Sequence, residues 1–312
     1  MNDLLERCCG LDIHKDIIAA CILDGAVGQK ASSEIREFST LIPGMQALKE
    51  WIISQNCRHV AMESTGIYWQ PVYETLEEAF NGEISLLVVN ARHMKNVPGK
   101  KTDMRDAEWI ATLLRAGLLN GSFVPNKDIR EFRRLTRYRK GIVRDITSQK
   151  NRVEKFLQSS GFRLSTFISD VFGASGRDII EYLAQYGRIG KEQINLCLRT
   201  KTRHKIDDIM IAVNGTLSDK QRLFLRMLLS HLDTLYAHLR DIERVIGIEV
   251  EQFSAHLAAI CSMPGIAQTA AAAVIAEIGI DMSRFKTAEH ICSRAGLSPG
   301  NNESAGKKNE LR

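Results

Sequence analysis

Between residues 9 and 116 the sequence alternates short apolar runs with longer amphipathic ones, and that alternation restricts the fold more than any other feature. Cys9 to Ile13 and Ile17 to Leu23 are apolar runs separated by the polar turn His14-Lys15-Asp16, the pattern of a β-hairpin. Glu34 to Leu41 predicts a third strand. Pro43 opens a helix through Ser54 with Met45, Leu48, Ile52 and Ile53 on one face. Arg58 to Met62 reads as a short buried strand, with Glu63 directly after it. Ile67 to Phe80 predicts a helix. Ile84 to Val89 is apolar enough for a parallel strand buried on both faces. After a loop with Pro98, Gly99, Lys100 and Lys101, Thr102 reads as the N-cap of a helix from Asp103 to about Ala116. A hairpin followed by alternating strands and helices predicts a mixed α/β sheet with an antiparallel first portion.

The remainder is predicted to be helical. Phe132, Leu135, Ile142, Val143, Ile146, Val153 and Phe156 recur at helical spacing. Leu217 to His256 is a second long amphipathic stretch, and the two segments suit an antiparallel or intermolecular coiled coil, or an ordinary bundle. Leu164 to Asn214 reads as helical pieces broken at Gly173, Gly176, Gly187 and Gly190. The expected division is residues 1–122, 123–255 and 256–312.

Charge is unevenly spread. Lys127 to Lys155 holds eleven basic residues against four acidic ones, a local +7 in a chain whose net charge is +5. A concentrated basic helix suits the phosphate backbone of nucleic acid, and a solvated helix face is the plainer alternative. Lys127, Arg130, Arg133, Arg134, Arg137 and Arg144 are the candidate contacts. Seven scattered cysteines without a C-x-x-C pair argue against disulfides and structural zinc, and predict buried thiols in a reducing cytoplasm. No apolar run reaches the roughly 18 residues of a membrane span, and no signal-peptide pattern opens the chain.

Four carboxylates stand where a metal site would need them. Asp12 and Glu63 end two strands, and Asp103 and Asp106 lie three apart in the first turn of a helix, on one face. Hard oxygen donors suit Mg²⁺ or Mn²⁺, the ions that stabilise a reacting phosphodiester. Singly, each acid is equally a turn former or a helix cap. Near the C-terminus, Met263-Pro264-Gly265-Ile266 resembles a helix-hairpin-helix turn, where Gly265 would let backbone N–H groups approach a phosphate. Beyond it, a glycine- and asparagine-rich stretch contains Ser304, then Lys307 and Lys308. A serine with cations close behind it is a candidate nucleophile on phosphorus, or simply a loop serine.

Gly10-Leu11-Asp12-Ile13-His14-Lys15, Met62-Glu63-Ser64-Thr65-Gly66 and Asp103-Met104-Arg105-Asp106-Ala107 resemble the three acidic blocks of the insertion-sequence DEDD transposases, a family that includes the pilin-inversion recombinase and RNA-guided bridge recombinases. Met263 to Ile266 and Gly296-Leu297-Ser298-Pro299 through Ser304-Ala305-Gly306 resemble that family's C-terminal transposase domain. The resemblance implies a resolvase-type RNase H-like N-terminal domain, a helical coiled-coil middle and a small α-helical C-terminal domain. It implies that Asp12, Glu63, Asp103 and Asp106 bind the metal and that Ser304 attacks DNA. It further implies double-stranded donor and target DNA, a structured noncoding RNA and a homo-oligomer, dimer or tetramer, as partners in the bacterial nucleoid. The family pattern continues past the serine with a basic stretch and further helices, and this sequence ends at Arg312.

The expected activity is therefore cutting and rejoining of DNA at element ends and targets. A metal-only nuclease of the junction-resolving type and an inactive nucleic-acid-binding relic are the alternatives. A sugar kinase shares the opening hairpin but would need a phosphate-binding glycine loop, which His14-Lys15-Asp16 does not supply.

Overall fold

The front of the chain assembles around a five-stranded sheet in the computed structural model, which describes residues 4–64, 66–80, 83–90, 106–200, 202–285, 287–294, 303–304 and 307–308. β1 (Arg7–Ile13), β2 (Ile17–Asp24) and β3 (Ser32–Ser39) form an antiparallel meander. β4 (His59–Glu63) and β5 (Ser85–Val89) join in parallel on the far side of β1, giving the order β3-β2-β1-β4-β5. A meander extended by two parallel strands, each reached over a helix, is the RNase H-like arrangement. Thr40 ties down the turn of the opening hairpin: its hydroxyl donates to Lys15 O and its N–H to Asp16 O.

Alternation along the strands sorts the side chains into two layers. Cys9, Leu11 and Ile13 pack with Val60, Met62 and Val88 under helices α1 (Ile42–Ser54) and α2 (Trp69–Phe80). Cys8, Cys21, Ala61 and Val89 face the other way, under α3 (Asp106–Arg115). Each fully buried leucine or isoleucine contributes about 1.5–3 kcal/mol through removal from water. Burial pushes the Cys57 thiol up to about 11 and raises Cys9 and Cys21 as well. Cys8, Cys9, Cys21 and Cys57 are buried, as expected, whereas Cys197 and Cys261 are half-buried and Cys292 is exposed.

Helix α3 lies unusually close to β1. A β-carbon on Gly10 would stand 2.2 Å from Ala107 O and 2.4 Å from Ala111 N. The helix is pinned at its other end by Arg115, whose buried guanidinium donates to the carbonyls of Leu5, Gly25, Ala26 and Gln29. Leu4 N–H donates in turn to Arg115 O. These contacts set α3 antiparallel to β1, so its first residue, Asp106, lies toward the strand end that carries Asp12.

The chain divides into two units, Met1–Val124 and Pro125–Arg312. In the second, α4 (Lys127–Ser159) runs antiparallel to α8 (Asp219–Val250). Asn126 accepts from Ile129 N–H to start α4, and a reciprocal Ser218–Gln221 capping box starts α8. The order of partners shows the direction: Gln149 Nε2 donates to Leu228 O, Ile142 and Ile146 pack on Leu232, and Arg139 pairs with Glu243. Helices α5 (Ala174–Tyr186), α6 (Lys191–Cys197) and α7 (Ile206–Ala212) pack around one end of this pair. Gly173, Gly187 and Gly190 bound these helices as expected, whereas Gly176 lies inside α5, where Val171 O leaves no room for a β-carbon. At the other end, α9 (Ser254–Cys261) and α10 (Gln268–Ile278) bring Leu257, Ala272, Ile275 and Ala276 onto Ile129, Phe132 and Ile246. α11 (Ala288–Arg294) follows, and β6 (Glu303–Ser304) pairs with β7 (Lys307–Lys308). Among the described residues no helix is long and apolar enough to cross a membrane.

Gly10→Ala is expected to drive α3 off the sheet and lower the unfolding free energy by about 3 kcal/mol, because overpacking against backbone cannot relax by a rotamer change. Urea unfolding measures this, and an unchanged midpoint would show that α3 does not press on β1.

Candidate active site and nucleic-acid face

Asp12 and Glu63 occupy neighbouring positions at the ends of two adjacent parallel strands. The β1–β4 register pairs Leu11 with Met62, which sets Asp12 beside Glu63 one step further on. Both belong to the α3 side of the sheet. Asp12 pairs with Ala19, which packs into the α3 layer, and Glu63 pairs with Val89, which does the same. Asp12 is 9% exposed and Glu63 half-buried. Asp106 opens α3 over this end of the sheet, where the positive end of the helix dipole favours a carboxylate. Asp103 lies outside the described residues, as do Thr102 and the preceding loop. Among the described residues no three side chains of metal-ligating type stand together.

His14 was expected only as a turn residue. Its Nε2 lies 3.0 Å from Asp12 Oδ2, a hydrogen bond in which the carboxylate accepts. The hairpin makes this contact: His14 N–H donates to Ile17 O, which turns the chain back directly after Asp12. A histidine two residues beyond a strand-end acid is the signal that sequence could have offered.

The basic helix α4 sorts its cations by direction. Arg130 is buried and donates to Pro125 O. Arg133 donates to Ala276 O and Glu277 O, carbonyls of the last turn of α10. A guanidinium there satisfies acceptors the helix leaves open and meets the negative end of its dipole. Arg137 is exposed and makes two bonds to the Glu277 carboxylate, which raises its pKa above the ordinary arginine value. Lys127, Arg134 and Arg144 are exposed.

A ridge emerges that the expected contacts only partly covered. Arg137, Gly141, Arg144, Ser148, Asn151 and Lys155 follow one another at steps of three or four, with Lys140 alongside. That row carries no carboxylate and runs about 27 Å at 1.5 Å per residue. Among the described residues, Lys140, Arg144 and Lys155 have no ion-pair partner.

Gly265 has φ +85° in the turn between α9 and α10, the left-handed conformation that favours glycine. Ser304 lies opposite Lys307, and Glu303 opposite Lys308, in the short β6–β7 ladder. Asp12, Glu63 and Asp106 belong to the first unit, and Ser304 with its lysines to the second.

Two family models match the chain. One, a DEDD transposase of the IS110 type, matches residues 9–161, and the other, the transposase IS116/IS110/IS902 family, matches residues 257–312. Together they take in about two thirds of the sequence. No curated protein matches the chain. Of solved structures, it is similar to RuvC of Thermus thermophilus at 9% identity and a TM-score of 0.29, over 37% of this chain and 99% of that one. It is similar to the same organism's RuvC in complex with a Holliday junction substrate at 11% identity and a TM-score of 0.28, over 38% of this chain and 100% of that one.

Arg133→Ala is expected to cost about 2 kcal/mol of stability, since two carbonyls lose a charged donor. Arg144→Ala is expected to stay within about 0.5 kcal/mol of the parent, as for a surface change. Denaturant unfolding separates them, and equal losses would mean that Arg144 also holds the fold.

Proposed function

Because this chain belongs to the IS110 family of DEDD insertion-sequence transposases, we propose that it cuts and rejoins DNA at element ends and targets with the acids Asp12, Glu63, Asp103 and Asp106 and the nucleophile Ser304. The observation that carries this reading is the side-by-side placement of Asp12 and Glu63 on the face and at the end of the sheet toward which α3 presents Asp106. Carboxylates are hard oxygen donors, and this set fits Mg²⁺ or Mn²⁺. Bound there, such an ion would polarise the scissile phosphate. His14 holds Asp12 from one side and so fixes the direction of its carboxylate.

In the proposed step Ser304 Oγ bonds to the scissile phosphorus as the P–O bond to the departing strand breaks. The departing oxygen gains the proton that the serine loses. The phosphoserine conserves the bond energy needed for rejoining. Lys307 and Lys308, close in sequence to Ser304, would supply cations for the developing charge.

Double-stranded donor and target DNA and a structured noncoding RNA are the proposed partners. The α4 ridge, from Arg137 to Lys155, and the Gly265 turn are the proposed phosphate contacts, with Lys127 and Arg134 alongside and Lys307 and Lys308 near the serine. Arg130 and Arg133 would contribute by holding α4 and α10 in place. A homo-oligomer is proposed on the exposed apolar residues Leu223, Phe224 and Met227 of α8, the last 61% exposed.

The test is denaturing gel analysis after incubation with element-end DNA, flanking transcript and Mg²⁺. A protein–DNA adduct is expected, absent in Ser304→Ala and reduced at least a hundredfold in Asp12→Asn. Cleavage without an adduct, lost in Asp12→Asn but kept in Ser304→Ala, would establish a metal-only nuclease instead. The absence of both adduct and cleavage with the parent protein would favour a binding protein without catalysis, and an adduct kept in both variants would remove Ser304 and Asp12 from the reaction. Arg144→Ala is expected to lower the salt slope of duplex binding by about one unit; titration at several salt concentrations reads this, and an unchanged slope would remove Arg144 from the interface.

A further inference from the structure

A groove of about 500 Å³ opens within the second unit between α4, α8 and α10. Its volume lies in the range of small-molecule sites, roughly 300–1,000 Å³. The floor is small and apolar, with Ala267, Ala270 and Ala273 facing Val143 and Ile246. The rim is cationic: Arg137, Arg139 and Lys140 line it against a single carboxylate, Glu277. Glu277 is engaged by Arg137, and Arg139 pairs with Glu243 outside the groove. Lys140 is left, among the described residues, with no carboxylate partner. The groove meets the phosphate ridge of α4 at Arg137 and Lys140, and reaches the Gly265 turn on its other side.

We infer that this groove receives an unpaired nucleotide of DNA, its base against the alanine floor and its phosphate at Lys140; the inference rests on the reading of the chain as a DNA transposase. Charge complementarity carries it. One uncompensated cation at the mouth of an apolar cleft matches one phosphodiester attached to one base. A base leaving the stack needs apolar surface to replace its neighbours, and the groove supplies it beside the ridge that would hold the backbone. The lining favours deoxyribose over ribose. Its side-chain hydroxyls are Thr136, which already donates to Arg133 O, and Thr269, so a 2′-hydroxyl set against the alanines would find few partners there.

Fluorescence anisotropy with the full chain tests this, using a DNA duplex, the same duplex with an unpaired bulge, and an RNA duplex with the same bulge. The parent protein is expected to bind bulged DNA more tightly than the other two. Ala270→Trp, at an exposed position that fills the groove, is expected to weaken binding of bulged DNA about tenfold and to leave the plain duplex unchanged. Lys140→Gln, an exposed change, is expected to weaken the bulged probe about threefold and keeps the test decisive if A270W does not fold. Equal affinity of parent and both variants for bulged DNA overturns the groove while duplex binding stands. So does a preference for bulged RNA, or a loss of duplex binding as large as that of the bulge. Failure of the parent to bind any probe overturns the DNA reading along with it.

Discussion

The carbonyl of Ala107 and the amide of Ala111 rest about where a side chain on Gly10 would begin. That contact sets the height of α3 over the sheet, and Arg115 sets its direction by gathering four carbonyls at the opposite end. Height and direction together aim the first turn of α3 at the end of β1. A strand residue without a β-carbon lets the helix down onto the sheet, with Asp106 at the end of the helix that lies toward Asp12. The placement of that helix end thus follows from packing beside it, at Gly10 and Ala107, and from the Arg115 contacts at the far end.

A second constraint shapes the helical unit. The antiparallel α4–α8 pair is set in register by Gln149, a buried amide that reaches Leu228 O across the interface. A polar group at such a position costs free energy in any register that leaves it unbonded. With α4 held in this rotation, its arginines divide. Arg130 and Arg133 turn toward the interior and the end of α10, and Arg144 and Lys155 turn to solvent. The same rotation opens the groove beneath Lys140, because α10 presents alanines where larger residues would close it.

Much of the sheet was legible because strand alternation and burial leave a direct imprint on sequence. β1, β2 and β4 lie within two residues of their expected positions, with Asp12 next to last in β1 as expected and Glu63 the last residue of β4 rather than the first beyond it. The His14 contact was legible only as a spacing from Asp12, since the direction in which a turn histidine swings its ring is set when the hairpin closes. The basic count on α4 was right in total and incomplete in meaning. A count weighs Arg130 and Arg144 alike, while one bonds to backbone in the interior and the other faces water.

By itself the sequence determined the order of strands and helices, the strand-end acids and the family, because periodicity, caps and short motifs are properties of neighbouring residues. Tertiary structure alone decided that α3 runs back along β1, that His14 grips Asp12, which cations of α4 remain at the surface, and that a groove lies beside them. Those outcomes depend on contacts between residues far apart in the chain, where Gly10 meets Ala107 and Arg133 meets Ala276. No local pattern encodes such pairs, since each partner alone is compatible with many others until packing selects one.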